Sequence, residues 1–184
     1  GCNRFCAYCE VPHVRGSVIS SRSEAEILAE IRVLSQKGFR EIVLTGVNLG
    51  LYGTDNGNSL EQLLRRALHE LKGSRLRLSS IGPKETTDGL IEAVHEGSLS
   101  GKICPHFHMS LQSGSKKTLE AMKRNYTPEI FMGRLNKIIS KMPFCGITTD
   151  IIAGFPGETQ KEHEETLEFI KNAPISRLHV FPYS

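Results

Sequence analysis

No apolar run in this 184-residue chain approaches the roughly 20 residues that span a bilayer, which excludes an ordinary membrane helix. No basic-then-apolar leader precedes the first cysteine, so the chain reads as cytoplasmic, with no membrane partner. There is no low-complexity tract and no obvious linker. With 39% hydrophobic and 23% charged residues, residues 1–184 suit one globular domain with an ordinary core. The net charge of only +3, from 23 basic and 20 acidic residues, permits nucleic-acid binding without arguing for it. Basic clusters at Arg4, Arg15 and Arg22, at Lys116 and Lys117, and at Lys123 and Arg124 read by themselves as solvated surface. The five cysteines fit metal binding better than a disulfide scaffold: three crowd into the first nine residues, and Cys104 and Cys145 stand alone far away.

The crowded three, in Gly1-Cys2-Asn3-Arg4-Phe5-Cys6-Ala7-Tyr8-Cys9, form a CxxxCxxC run. A reducing compartment turns such a run toward metal. A four-iron cubane takes four cysteine ligands as a rule, so a loop offering three would leave one iron free to bind something else. His13 follows Cys9 at a spacing that also suits a Cys3His zinc site. Spacing alone leaves both open.

Helical and strand-like segments alternate along the rest of the chain. A capping box at Ser23-x-x-Glu26 opens a helix to Lys37, with Ile27, Leu28, Ile31 and Leu34 on one face and Gly38 as its stop. Arg40 to Thr45 is expected as a strand, its Ile42-Val43-Leu44 run suited to burial on both faces. Ser59 caps a helix with Leu60, Leu63, Leu64, Leu68 and Leu71 inward, and Leu76 to Ile81 is the next strand. A helix over about Thr87 to Glu96 contains Gly89, and the strand His106 to Leu111 follows. Two helical pieces, Ser115 to Arg124 and Pro128 to Met142, come next; Thr127 is the N-cap of the second, with Pro128 at its first position. Strand Gly146 to Ala153, a helix from Lys161 to Asn172 entered through Thr159-x-x-Glu162, and strand Arg177 to Pro182 complete the chain. Such alternation implies an α/β fold with a parallel sheet, whose active site lies at the carboxyl ends of the strands.

The loops at those ends are Thr45 to Gly50, Ser80-Ile81-Gly82-Pro83, Gln112-Ser113-Gly114-Ser115, Gly154-Phe155-Pro156-Gly157-Glu158 and Phe181-Pro182-Tyr183-Ser184. Any one could be an ordinary turn. With the cysteine loop, in the stretches GCNRFCAYCEVPHVRG, EIVLTGVNLGLYG, HMSLQSGSKKTLEAMKRNYT, TTDIIAGFPGET and SRLHVFPYS, the chain resembles the radical S-adenosylmethionine (SAM) superfamily, and within it the methylthiotransferases. RLRLSSIGP, LQSGS and LHVFPYS make it most similar to the branch acting on N6-threonylcarbamoyladenosine of tRNA. Gly82 departs from the acid expected there.

That resemblance implies a partial (β/α)6 barrel of the TIM-like, radical SAM type, with its first strand upstream of Gly1 and therefore missing. It implies a [4Fe-4S] cluster on Cys2, Cys6 and Cys9, with SAM on the fourth iron. Tyr8 would pack beside adenine, and Gly46 and Asn48 would lie near the methionine amino group. Arg124 would pair with the methionine carboxylate, a match for its fork of donors. Gln112 and Ser113 would meet the ribose or methionine, and Asp150 would accept from ribose hydroxyls. Phe155 and Pro156 would wall the adenine, with Phe181 among the residues at its edge. The implied reaction methylthiolates C2 of the adenosine beside the anticodon, with tRNA and a cellular electron donor as partners. A second [4Fe-4S] cluster in a preceding domain and an RNA-binding domain after the core complete the implied enzyme. Isopentenyladenosine of tRNA and an aspartate of a ribosomal protein are the alternative substrates, and a zinc-stabilised module without catalysis is the alternative class.

Three further features have plainer readings. His106 and His108 share a strand face but have no third ligand nearby in sequence, so they read as half-buried polar residues. Cys104 and Cys145 read as buried, apolar-like side chains. Glu162-His163-Glu164-Glu165 reads as the solvated first turn of a helix.

Overall fold

Six strands, all paired in parallel, form the inner layer of the computed structural model, which describes residues 1–184. β1 (Glu41–Leu44) pairs with β2 (Arg75–Leu78), and β3 (Ser80–Ile81), β4 (His106–Met109), β5 (Gly146–Ala153) and β6 (Arg177–Pro182) follow in spatial order. The single strand expected over residues 76–81 is broken at Ser79, whose N–H donates to Leu44 O at 3.0 Å. Its first half therefore pairs with β1 and its second with β4. The outer edges of β1 and β6 have no strand partner. The strands thus pair as a two-stranded and a four-stranded parallel sheet.

Short helix α1 (Val11–Val14) follows the cysteine loop, and α2 (Glu24–Gln36), α3 (Leu60–Ala67), α4 (Asp88–Leu99), α5 (Lys116–Ala121), α6 (Pro128–Lys141) and α7 (Gln160–Asn172) connect the strands. The side chains of Ser23, Ser59, Thr87, Thr127 and Thr159 accept from backbone N–H groups three residues on, at the starts of α2, α3, α4, α6 and α7. Each satisfies a donor that a helix start otherwise leaves open. Gly89 and Gly97 do not stop α4, whose Leu90, Ile91, Ala93 and Val94 are buried against the core.

Helices cover only one face of the sheet. Phe107 and Met109 of β4 and Ile147, Thr149 and Ile151 of β5 are buried on that side, while the alternate residues His106, His108, Thr148 and Asp150 line the concave side. The expectation that β1 would be buried on both faces is therefore corrected: Ile42 is 6% exposed and Val43 51%. On the concave side Glu41 accepts from Arg75 Nε and Arg77 Nε, each at 2.7 Å. Glu162 also departs from its solvated reading. It is 6% exposed, completes the capping box of α7, and pairs with Lys117 Nζ at 2.6 Å.

A Cβ added to Gly114 would lie 2.7 Å from Phe169 Cβ and 2.8 Å from Thr166 Cα, so that loop can reach α7 only as glycine. Gly114→Ala should lower the urea midpoint by an amount equivalent to about 1–3 kcal/mol; an unchanged midpoint would count against the close approach. A second prediction concerns acid. Hydrogen bonds from Arg77, and then Arg75, outweigh partial burial and hold Glu41 at about 2 against an ordinary 4.5. Its contribution is present above pH 4.5 and is lost as pH falls toward 2. The stability gap between wild type and Glu41→Gln, from urea unfolding at several pH values, should therefore narrow across that interval.

Candidate functional site

The cysteine loop is held over the carboxyl ends of the strands by its backbone. Cys2 N–H donates to Gly16 O at 3.1 Å, Ala7 N–H to Met122 O at 3.0 Å, and Cys9 N–H to Cys6 O at 3.0 Å. Phe5 adopts the left-handed region, φ 49°, which turns the chain between Cys2 and Cys6. All three thiols are free and partly accessible. They line one cavity of about 160 Å³ together with Tyr8, Asn48 and Arg124.

Arg124 connects this loop to the sheet beyond β4. Its Nη1 donates to Cys6 Sγ at 3.1 Å and to Tyr8 Oη at 3.4 Å, and its Nε donates to Tyr126 Oη at 3.0 Å. Tyr126 in turn donates to the carbonyls of Ser110 and Leu111, at 2.7 and 2.8 Å, just beyond β4. Burial works against the charge of Arg124, but Tyr126, Tyr8 and Cys6 keep it firmly protonated. Burial raises both Tyr8 and Tyr126, the latter to about 12, so the two phenols stay neutral beside it.

The donor set fits a cluster better than a single ion. Bonds of about 2.3 Å to one tetrahedral zinc would bring sulfur pairs to about 3.8 Å, whereas no grouping of the three sulfurs, with or without His13, lies mutually within 4.8 Å. His13 is exposed on α1, with its ring edge-on to Phe5 at 6.1 Å. Three thiols lining one cavity beside a cation suit a cubane whose overall charge is negative.

Phe155 is buried with its ring 6.5 Å from Tyr8 and 5.4 Å from Tyr183. Pro156 and Phe181 are exposed at the same strand ends. Gly46 lines a neighbouring cavity of about 410 Å³ between α2 and the free edge of β1, which shares Val47 and Asn48 with the cysteine cavity. Gln112 takes φ 70° and its backbone bonds to Asp150 O and Ile152 N, at 2.8 and 2.9 Å. Ser113, in the loop after β4, is fully buried against α7, its hydroxyl 3.0 Å from that of Thr166. Lys123, expected at the solvent, is exposed and also lines the cysteine cavity.

Two features escaped the sequence. Arg4 pairs with Glu85, whose side chain is only 9% exposed, tying the cysteine loop to the turn before α4. A Cβ at Gly82 would fall on the Glu85 carboxylate, so the glycine leaves room for that side chain. The second is His179. It and His108 flank Asp150, with His108 Nε2 at 2.9 Å and His179 Nδ1 at 3.1 Å from separate carboxylate oxygens. The pattern of β6 could have placed His179 on the concave face, but not beside Asp150. That pairing comes from the β5–β6 register.

A family profile described as the radical SAM superfamily matches residues 1–170. The chain is 45% identical over 185 aligned positions to threonylcarbamoyladenosine tRNA methylthiotransferase MtaB of Aquifex aeolicus, covering 100% of this chain and 44% of that protein. It is 41% identical to tRNA-2-methylthio-N(6)-dimethylallyladenosine synthase of Carboxydothermus hydrogenoformans, covering 100% of this chain and 41% of that protein. Its fold is similar to that of coproporphyrinogen III oxidase (HemN) of Escherichia coli, with a TM-score of 0.67 at 18% identity, covering 100% of this chain and 42% of that one. The chain thus spans about two-fifths of the length of the curated relatives it matches.

The Arg4–Glu85 pair predicts a defect confined to the loop. Glu85→Ala leaves Arg4 without its partner, a loss of about 1.5–3 kcal/mol for a charged hydrogen bond. Iron retained per chain after anaerobic reconstitution and gel filtration should fall severalfold, whereas retention equal to wild type would remove the anchoring role.

Proposed function

This chain belongs to the radical SAM superfamily, and we propose that it is the core of a tRNA methylthiotransferase acting on C2 of N6-threonylcarbamoyladenosine beside the anticodon. The observation that carries this reading is the cleft in which Cys2, Cys6 and Cys9 meet Tyr8, Asn48 and Arg124, in a chain 45% identical to a protein of that name. The family implies a [4Fe-4S] cluster and SAM. When bound, this pair supplies one-electron cleavage of the sulfonium bond and so a carbon radical able to abstract hydrogen.

The chain's own residues hold and orient. The three thiolates bind iron, and Arg124 offsets their charge while keeping donors free for the methionine carboxylate. Asn48 stands where the superfamily's segment carries an acid, so its amide oxygen or nearby carbonyls accept from the amino group. Tyr8, Phe155, Pro156 and Phe181 provide apolar surface for the adenine, and the Gln112 backbone turn brings loop atoms toward the ribose. Gly46 gives room beside the loop. A second cluster outside this segment, an RNA-holding domain and a cellular reductant complete the proposed enzyme. The other tRNA reading, dimethylallyladenosine, has the support of a relative at 41% identity.

Reconstituted under anaerobic conditions, this segment should bind about four irons and four sulfides, and SAM should perturb the spectrum of the reduced cluster. Stoichiometric zinc that survives iron challenge would favour the non-catalytic module instead. Nucleoside mass spectrometry should find the 2-methylthio derivative of threonylcarbamoyladenosine with the full-length protein and none with this segment alone. Product on dimethylallyladenosine only would replace the substrate, and product from the segment alone would overturn the need for further domains.

A further inference from the structure

On the concave side of the sheet, hydrogen bonds run from β4 through β5 to β6. His106 Nε2 lies 3.1 Å from Thr148 Oγ1, which lies 2.9 Å from His108 Nδ1. His108 Nε2 and His179 Nδ1 then approach the two oxygens of Asp150. The histidine rings stack at 5.8 Å with 23° between their planes.

The proton positions follow from Asp150 outward. An ionised carboxylate only accepts, so the facing nitrogens, His108 Nε2 and His179 Nδ1, both carry hydrogen. With His108 neutral, its Nδ1 accepts the one proton of the Thr148 hydroxyl, and Thr148 oxygen accepts from His106 Nε2–H. His106 Nδ1 is then a lone pair, and it is the ring nitrogen that is buried without a partner. The opposite arrangement would bury an unpaired N–H there, which is the rarer defect. Burial, followed by the nearby Arg77, also lowers the pKa of His106 and keeps it neutral.

One ring nitrogen remains, His179 Nε2. Its side chain is 42% exposed, against 14% for His108 and 21% for Asp150. In the neutral ring, donation from Nδ1 to Asp150 makes Nε2 the acceptor, and the same bond fixes the ring. The site adjoins the cysteine cleft, because His108 is the register partner of Ser80, which lines it.

We propose that His179 Nε2 accepts a hydrogen bond from an N–H or O–H of the substrate base or its N6 substituent, with Asp150 and His108 as positioning residues. This rests on the reading that the concave side receives a modified tRNA adenosine. A base whose substituent carries N–H and O–H groups fits such an acceptor better than one carrying a plain hydrocarbon.

The test uses the full-length holoenzyme. His179→Asn keeps a donor for Asp150 but removes the outer acceptor, while His179→Gln restores an acceptor near the place of Nε2. His179→Asn should lower kcat/KM for methylthiolation by about 10- to 100-fold, the range of one or two lost hydrogen bonds. It should also raise the 5′-deoxyadenosine released per methylthiolated tRNA, since a loosely held base is missed by the radical. His179→Gln should recover most of both. A kcat/KM for His179→Asn within twofold of wild type overturns the proposal, as does an equal fall for both variants with an unchanged product ratio. Stoichiometric zinc bound by wild type and lost in Asp150→Asn overturns it too, by making these side chains metal ligands. Wild type inactive on threonylcarbamoyladenosine tRNA defeats the substrate reading itself, and the inference with it.

Discussion

The cysteine cleft is organised around one half-buried cation. Arg124 touches Cys6 and Tyr8 on the loop and also Tyr126, and Tyr126 bonds the last carbonyls beyond β4. A guanidinium this enclosed is tolerated only where its donors are met. The loop meets Nη1 with a thiol and a phenol while Tyr126 meets Nε, so orienting Arg124 and fixing the position of Cys6 are the same event. The backbone bond from Ala7 to Met122 adds a second tie to the same short segment.

The sheet's two faces explain why the site is polar beneath this loop. Period-two alternation sends Phe107, Met109, Ile147 and Ile151 toward the helices and His106, His108, Thr148 and Asp150 away from them. A concave face lined with unpaired polar groups would cost stability, and the structure offsets that by pairing them across strands. Glu41 joins Arg75 and Arg77 between β1 and β2, and Asp150 joins His108 and His179 across β4, β5 and β6.

Much of this was legible in the sequence because it is local. Helix starts at Ser23, Ser59, Thr87, Thr127 and Thr159 are set by side chains three residues from the N–H they cap, and all five form. Features fixed by register or packing were not legible. Nothing within residues 76–81 announces the break at Ser79, which arises because the two halves pair with different neighbours. The two histidines of β4 lacked a third partner in sequence, since Asp150 and His179 reach His108 only through parallel crossovers. Glu162 looked solvated as one acid among three, yet its capping geometry and Lys117 draw it inward and hold it at about 2.

The loop Gln112-Ser113-Gly114-Ser115 shows how a motif can combine two demands. By resemblance it belongs to the cofactor cleft, but Ser113 bonds Thr166, Ser115 bonds Glu165, and Gly114 leaves no room for a side chain against α7. Only Gln112 keeps a side chain clear of that packing, and its left-handed backbone is held by two bonds to β5. The serines and the glycine act by fixing where Gln112 and the end of β4 stand, which in turn fixes the carbonyls that hold Tyr126. The motif reaches the cysteines through structure before any of its atoms meets a ligand.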